Sequence, residues 1–131
     1  MGEKRHRLLA VDDDEAILTI VTEMLGHAGF DVVAAGSSKK ALDLIDEGAG
    51  PFDVAILDYT MPEMDGLTLA LRLRERFPEI KLVMLSGTIS LMQTDIARHQ
   101  DLIDAAMQKP FDGSILVETV RRVVGESKSE V

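Results

Sequence analysis

A chain of 131 residues, 46% of them hydrophobic and 28% charged, has the size of one domain that buries roughly two thirds of its unfolded surface, and its composition is far from that of disorder. It contains no cysteine, which excludes disulfide frameworks, thiolate nucleophiles and cysteine-held metals and fits a reducing compartment. A formal charge of −9 repels nucleic-acid backbones and anionic membranes, so direct nucleic-acid binding is not expected; Lys4, Arg5, His6 and Arg7 form the one basic cluster. No apolar run approaches the ~18 residues of a membrane span, and the first seven residues lack the apolar stretch of a signal peptide. The expectation is a cytoplasmic single domain over 1–131, with a leader at 1–6 and a polar tail at 126–131.

Short runs rich in Val, Ile and Leu alternate with longer amphipathic stretches, the sequence sign of a parallel sheet wrapped by helices. The first run is 8–11. Ile17, Ile20, Val21, Met24, Leu25 and Ala28 then follow the three-and-four spacing of a helix, and Gly29 sits where a left-handed cap belongs. After the run at 32–35, Ser37 or Ser38 can cap a helix that turns Ala41, Leu42 and Ile45 inward before Gly48 ends it. The run at 54–57 precedes a helix from about 65 to 77, which Pro78 stops. The run at 82–85 precedes a helix near 90–98 with only Met92, Ile96 and Ala97 as apolar anchors, which predicts thin packing. A weaker run at 103–107 leads to a last helix capped by Asp112, with Leu116, Val120, Val123 and Val124 as its buried stripe and Gly125 at its end. The near-continuous apolar character of these runs reads as fully buried strands.

In an open parallel α/β sheet, functional groups gather in the crevice outside the carboxyl ends of the strands. The residues there are Asp12, Asp13, Asp14 and Glu15 after the first run, Asp58 after the third, Ser86 after the fourth and, one residue beyond the fifth, Lys109. Carboxylates of Asp12, Asp13 and Asp58 placed within several ångströms repel one another and persist only if protonated or joined by a cation. Magnesium suits such a site: it takes about six oxygen ligands and keeps several waters, so two carboxylates, a main-chain carbonyl and a substrate oxygen would complete its shell. Lys109 adds a mobile positive charge and Ser86 a hydroxyl donor, and together these parts resemble a phosphoryl-transfer site.

Taken singly, each residue has a plainer reading. An acidic run is a solvated helix start, accepted for Asp14 and Glu15; Asp65 is a helix cap, Pro62 and Gly66 shape a loop, and the seven methionines fill the core. Lys109 alone reads as a surface lysine and Ser86 as a loop residue; only the shared crevice raises both. His6, His27 and His99 are scattered without ligand spacing.

The segments Val-Asp-Asp at 11–13, Leu-Asp-Tyr-Thr-Met-Pro at 57–62, Met-Asp-Gly at 64–66, Leu-Ser-Gly at 85–87 and Gln-Lys-Pro-Phe at 108–111 match, in order and spacing, the receiver domains of two-component response regulators. The chain resembles that family, of the chemotaxis-regulator type, over nearly its whole length. The resemblance implies a doubly wound (βα)5 three-layer sandwich whose parallel five-stranded sheet runs in the flavodoxin-like order 2-1-3-4-5. It implies that Asp58 is the phosphoacceptor, that Asp12, Asp13, Asp58 and the carbonyl of Thr60 hold Mg2+, that Ser86 is the switch hydroxyl, that Lys109 contacts the phosphoryl group, and that the Lys109-Pro110 bond is cis. The implied partners are a histidine kinase or phosphotransfer protein as donor and an unidentified output domain or downstream protein; a phosphorylation-dependent dimer is compatible with it. The implied role is that of a stoichiometric phosphoacceptor that assists its own phosphorylation and dephosphorylation, not of an enzyme.

Three other readings fit less well. A phosphatase of the haloacid dehalogenase type also uses an aspartate after a parallel strand, but its second acid two residues on is here Thr60, and a cap domain is missing. A flavodoxin-like binding module needs a Ser/Thr/Gly loop after the first strand, where this chain has Asp-Asp-Asp-Glu. An unphosphorylated receiver-like scaffold would not keep every acid, hydroxyl and lysine position filled. Two departures from the family pattern remain: Ala106 stands where receivers carry Tyr or Phe, and one additional residue lies between Ser86 and Lys109. Output without an aromatic swing is therefore expected, carried by the segment 87–104. Thr60 and Thr88 offer neither acid nor amide to orient a water, so slow hydrolysis is expected too.

Overall fold

The computed structural model describes residues 5–87, Arg98 and 101–125. In chain order the elements are β1 (Arg7–Val11), α1 (Glu15–His27), β2 (Asp31–Ala35), α2 (Ser38–Asp46), β3 (Val54–Asp58), α3 (Gly66–Arg76), β4 (Lys81–Ser86), β5 (Ala105–Gln108) and α4 (Gly113–Val123). All strand pairs are parallel and the sheet order is β2-β1-β3-β4-β5. This is the doubly wound order expected. The helix anticipated near 90–98 lies, but for Arg98, outside the described residues, as do 1–4 and 126–131.

Strand alternation sorts the core into two layers. Leu9, Val11, Ala55, Leu57, Leu82 and Met84 face one side and pack with Ala41 and Ile45 of α2 and Leu69, Ala70 and Leu73 of α3. Leu8, Ala10, Val54, Ile56, Val83 and Leu85 face the other and pack with Val21 and Leu25 of α1 and Leu116 and Val120 of α4. Each large side chain buried in this way contributes about 1.5–3 kcal/mol. None of these helices is long and apolar enough to cross a membrane.

Each of the four described helices starts on a side-chain cap that satisfies amide groups lacking partners inside the helix. Asp14 accepts from Ala16 and Ile17, Ser37 from Lys40, Asp65 from Thr68 and Asp112 from Ser114. Ser37, not Ser38, is thus the cap of α2. Gly29 holds the left-handed conformation expected after α1, at φ 101°.

Four sequence expectations are corrected. The runs do not all form fully buried strands: β1, β3 and β4 are buried almost throughout, but β2 and β5 are edge strands with exposed or half-buried positions. Strand five lies at Ala105–Gln108 instead of 103–107, because its ladder begins only after Asp104, whose carboxylate takes the Leu82 N–H near the start of β4 at 2.8 Å. Lys109 consequently follows the strand directly. Ile20 and Met24 are 47% and 36% exposed, since each lies one residue, or about 100° of helix, from the buried positions Val21 and Leu25. In α4, Val123 and Val124 are only half-buried, and Thr119 joins the buried stripe.

Candidate functional site

Asp12 leaves β1 with its amide donating to Ala35 O at 3.2 Å, which continues the ladder with β2 by one step. That bond carries the side chain into the crevice at the carboxyl edge of the sheet, where it is 3% exposed. Oδ1 accepts from the Asp14 amide at 2.9 Å, and Oδ2 accepts from Lys109 Nζ at 2.8 Å. Asp58 is the last residue of β3; its Oδ1 lies 3.3 Å from Lys109 Nζ and 3.4 Å from the Thr60 amide. Asp13 stays exposed, yet its carboxylate joins those of Asp12 and Asp58, with one oxygen from each within 4.8 Å of the others.

Lys109 and Ser86 come from the other half of the sheet. Ser86 closes β4 and is buried, and its carbonyl accepts from the Lys109 amide at 2.8 Å. This bond aims Lys109 back over the strand ends toward β1 and β3. The sheet therefore gathers Asp12, Asp13, Asp58, Ser86 and Lys109 at one edge, as the sequence predicts, and Lys109-Pro110 is cis.

The electrostatics follow from burial. Removal from water, then the charge of Asp12 and a hydrogen bond with Asp13, raises the Asp58 carboxyl from 3.8 to about 7 against the opposing pull of Lys109. Burial works against the Lys109 ammonium, but its hydrogen bonds and charge contacts with Asp12 and Asp58 outweigh that and leave its pKa raised. Among the described residues, one lysine, paired with Asp12 and Asp58, thus stands against a group of three carboxylates. This all-oxygen, underneutralised donor set fits a hard divalent cation such as magnesium.

The loop from Asp58 to α3 carries Thr60 and is held by residues that the sequence did not single out for this role. Ser38, buried in the first turn of α2, donates through Oγ to Met64 O at 2.8 Å. Its only trace in the sequence is a serine left over once Ser37 has capped the helix. Between Pro62 and Met64 the chain makes a three-residue turn, Met64 N–H donating to Pro62 O at 2.7 Å, with Glu63 at φ 72°. A side chain in that region stores strain of the kind found next to functional groups.

The family model for the response regulator receiver domain matches residues 8–121. The chain belongs to the response-regulator receiver domain family. Among curated relatives, the sensor kinase CckA of Brucella abortus (strain 2308) is 33% identical over 119 residues, 89% of this chain and 12% of that protein. The sensor protein TorS of Escherichia coli (strain K12) is 31% identical over 110 residues, 84% of this chain and 12% of that protein. This receiver domain thus spans about an eighth of each of those relatives. A solved CheY-like receiver domain protein from Methanospirillum hungatei JF-1 superposes with a TM-score of 0.83 at 28% identity, covering 94% of this chain and 96% of that one.

Proposed function

We propose that this receiver domain accepts a phosphoryl group on Asp58 from a phosphohistidine of a histidine kinase or phosphotransfer protein, in a magnesium-dependent reaction, and changes conformation to signal to an output domain or downstream protein. The observation that carries the reading is the convergence of three carboxylates and Lys109 Nζ at the carboxyl edge of a receiver-family sheet. Bound by Asp12, Asp13, Asp58 and the main-chain carbonyl of Thr60, magnesium would supply positive charge against both carboxylate repulsion and the charge on the phosphoryl oxygens. The Asp58 carboxylate attacks phosphorus, the donor's N–P bond breaks, and the imidazole leaves as the neutral base, keeping the proton already on its other ring nitrogen, so an acyl phosphate forms. The Thr60 amide helps to orient the attacking carboxylate. Lys109 exchanges part of its pairing with Asp12 for the incoming phosphoryl oxygens, and the Ser86 hydroxyl donates to one of them as the switch.

The role is stoichiometric: the chain accelerates gain and loss of its own label and does not turn over a substrate. A cytoplasmic location suits a cysteine-free receiver, and the net charge of −9 argues against direct nucleic-acid contact. Incubation with magnesium and acetyl phosphate should add a single phosphoryl group by intact mass, labile as an acyl phosphate. Asp58→Asn should block it while the circular dichroism spectrum stays unchanged; labelling of the variant at the wild-type rate would move the site elsewhere.

A further inference from the structure

Lys109 is placed by the least substantial strand of the sheet. β5 has four residues, pairs with β4 alone and alternates half-buried with exposed positions. Ala105 and Met107 supply its contacts to the core. An edge strand with so little buried side chain specifies its register weakly through packing. Yet a slip of one residue would move Lys109 by about 3.3 Å and exchange the two faces of the strand, which is enough to take Nζ from Asp12 and Asp58.

Hydrogen bonds at the entry to β5 supply what packing does not. Asp104 N–H donates to Leu82 O at 2.8 Å, and Leu82 N–H donates back to Asp104 Oδ2 at 2.8 Å. Arg74, from the end of α3, brings Nη2 to 3.7 Å from that same Oδ2 and donates to Leu102 O at 3.1 Å. Both side chains are 30% exposed, so the pair is partly shielded, and it ties α3, β4 and the segment before β5 together. The Asp104 carboxylate accepts only if it is held beside Leu82, which gives one pairing of β5 a set of contacts that a slipped strand loses.

We propose that Arg74 and Asp104 are positioning residues for Lys109: they fix the register of β5 on β4 and thereby hold the lysine beside Asp12 and Asp58. The effect on phosphoryl chemistry rests on the phosphoacceptor reading above, but the register itself does not. The test uses the full chain with Asp104→Ala, Asp104→Asn and Lys109→Met. In Asp104→Ala, amide exchange over 105–109 should rise and beryllofluoride affinity in magnesium should fall, each roughly tenfold, the scale of coupling within one hydrogen-bond network. Affinity for magnesium alone should hold, because Asp12 and Asp13 directly follow β1 and Asp58 ends β3, away from the β4–β5 pairing. Asp104→Asn, which keeps an acceptor for Leu82, should recover most of both losses, and on a Lys109→Met background Asp104→Ala should cost no further beryllofluoride affinity. Should Asp104→Ala not fold, Arg74→Gln leaves the Asp104–Leu82 pair in place and should show the same pattern at smaller amplitude. Unchanged exchange over 105–109, equal losses of magnesium and beryllofluoride binding, or a loss that persists on the Lys109→Met background would each overturn the proposal. A wild-type chain that binds no beryllofluoride would overturn the phosphoacceptor reading instead, and amide exchange would then decide the register.

Discussion

Asp58 sits at the last position of β3, where its carboxyl titrates near neutrality. In the unfolded chain the group ionises around 3.8, and in the fold, mainly through burial, at about 7. Between those values the folded state holds the extra proton, so this group makes stability fall as pH rises through the window, with the full penalty present above it. In metal-free buffer, therefore, Asp58→Asn should melt higher than wild type at about pH 8, and the gap should close toward about pH 4. Thermal melts of both proteins in chelator across that range check it; a gap that does not vary with pH would assign the destabilisation to another cause. Ala106 is exposed in β5, opposite Met84 in the ladder, so the position carries no ring to move. The expectation that 87–104 reports phosphorylation instead falls mostly on residues outside those described.

The elements position these groups through a few close approaches. Gly66 opens α3 against the end of β3, its N–H donating to Tyr59 O at 2.9 Å. A Cβ there would collide with the Asp58 carbonyl oxygen and come within 2.9 Å of Met84 Sδ. The sulfur can move aside, but the backbone oxygen cannot without shifting the strand end that carries Asp58. Gly66→Ala should therefore lower stability by about 1–3 kcal/mol, the usual cost of overpacking, and should slow labelling by acetyl phosphate beyond what the stability loss explains. Denaturant melts and labelling rates measured together test this; a variant with wild-type values in both would show that α3 yields freely. The segment Met-Asp-Gly at 64–66 was legible as a loop and cap, since Asp65 caps α3. The need for glycine was not, because it arises from β3 and β4, distant in sequence.

At the scale of the whole molecule, the crevice brings together the carboxylates of residues 12, 13 and 58, so an ion held there would tie the loop after β1 to the end of β3. Magnesium bound only by the folded state should raise the melting temperature, with a stabilisation of about 2.7 kcal/mol at a hundredfold excess over its dissociation constant. Asp13→Ala should remove most of that rise, as calorimetry in magnesium and in chelator would show; an unmoved wild-type transition at millimolar magnesium would refute the metal site. The sequence by itself determined the α/β class, the caps Asp65 and Asp112, and the candidate residues Asp12, Asp13, Asp58, Ser86 and Lys109, because period, capping chemistry and the position just after a strand are local properties. How far β2 and β5 stay exposed, which side of α1 met the sheet and where β5 began were decided only by the tertiary structure. So were the contacts of Ser38, Arg74 and Asp104, whose partners lie 26 to 28 residues away for the first two and 22 for the third. Such groups look like ordinary polar surface until the fold brings their partners within hydrogen-bond reach, because a hydrogen bond depends on distance in space and leaves no periodic mark along the chain.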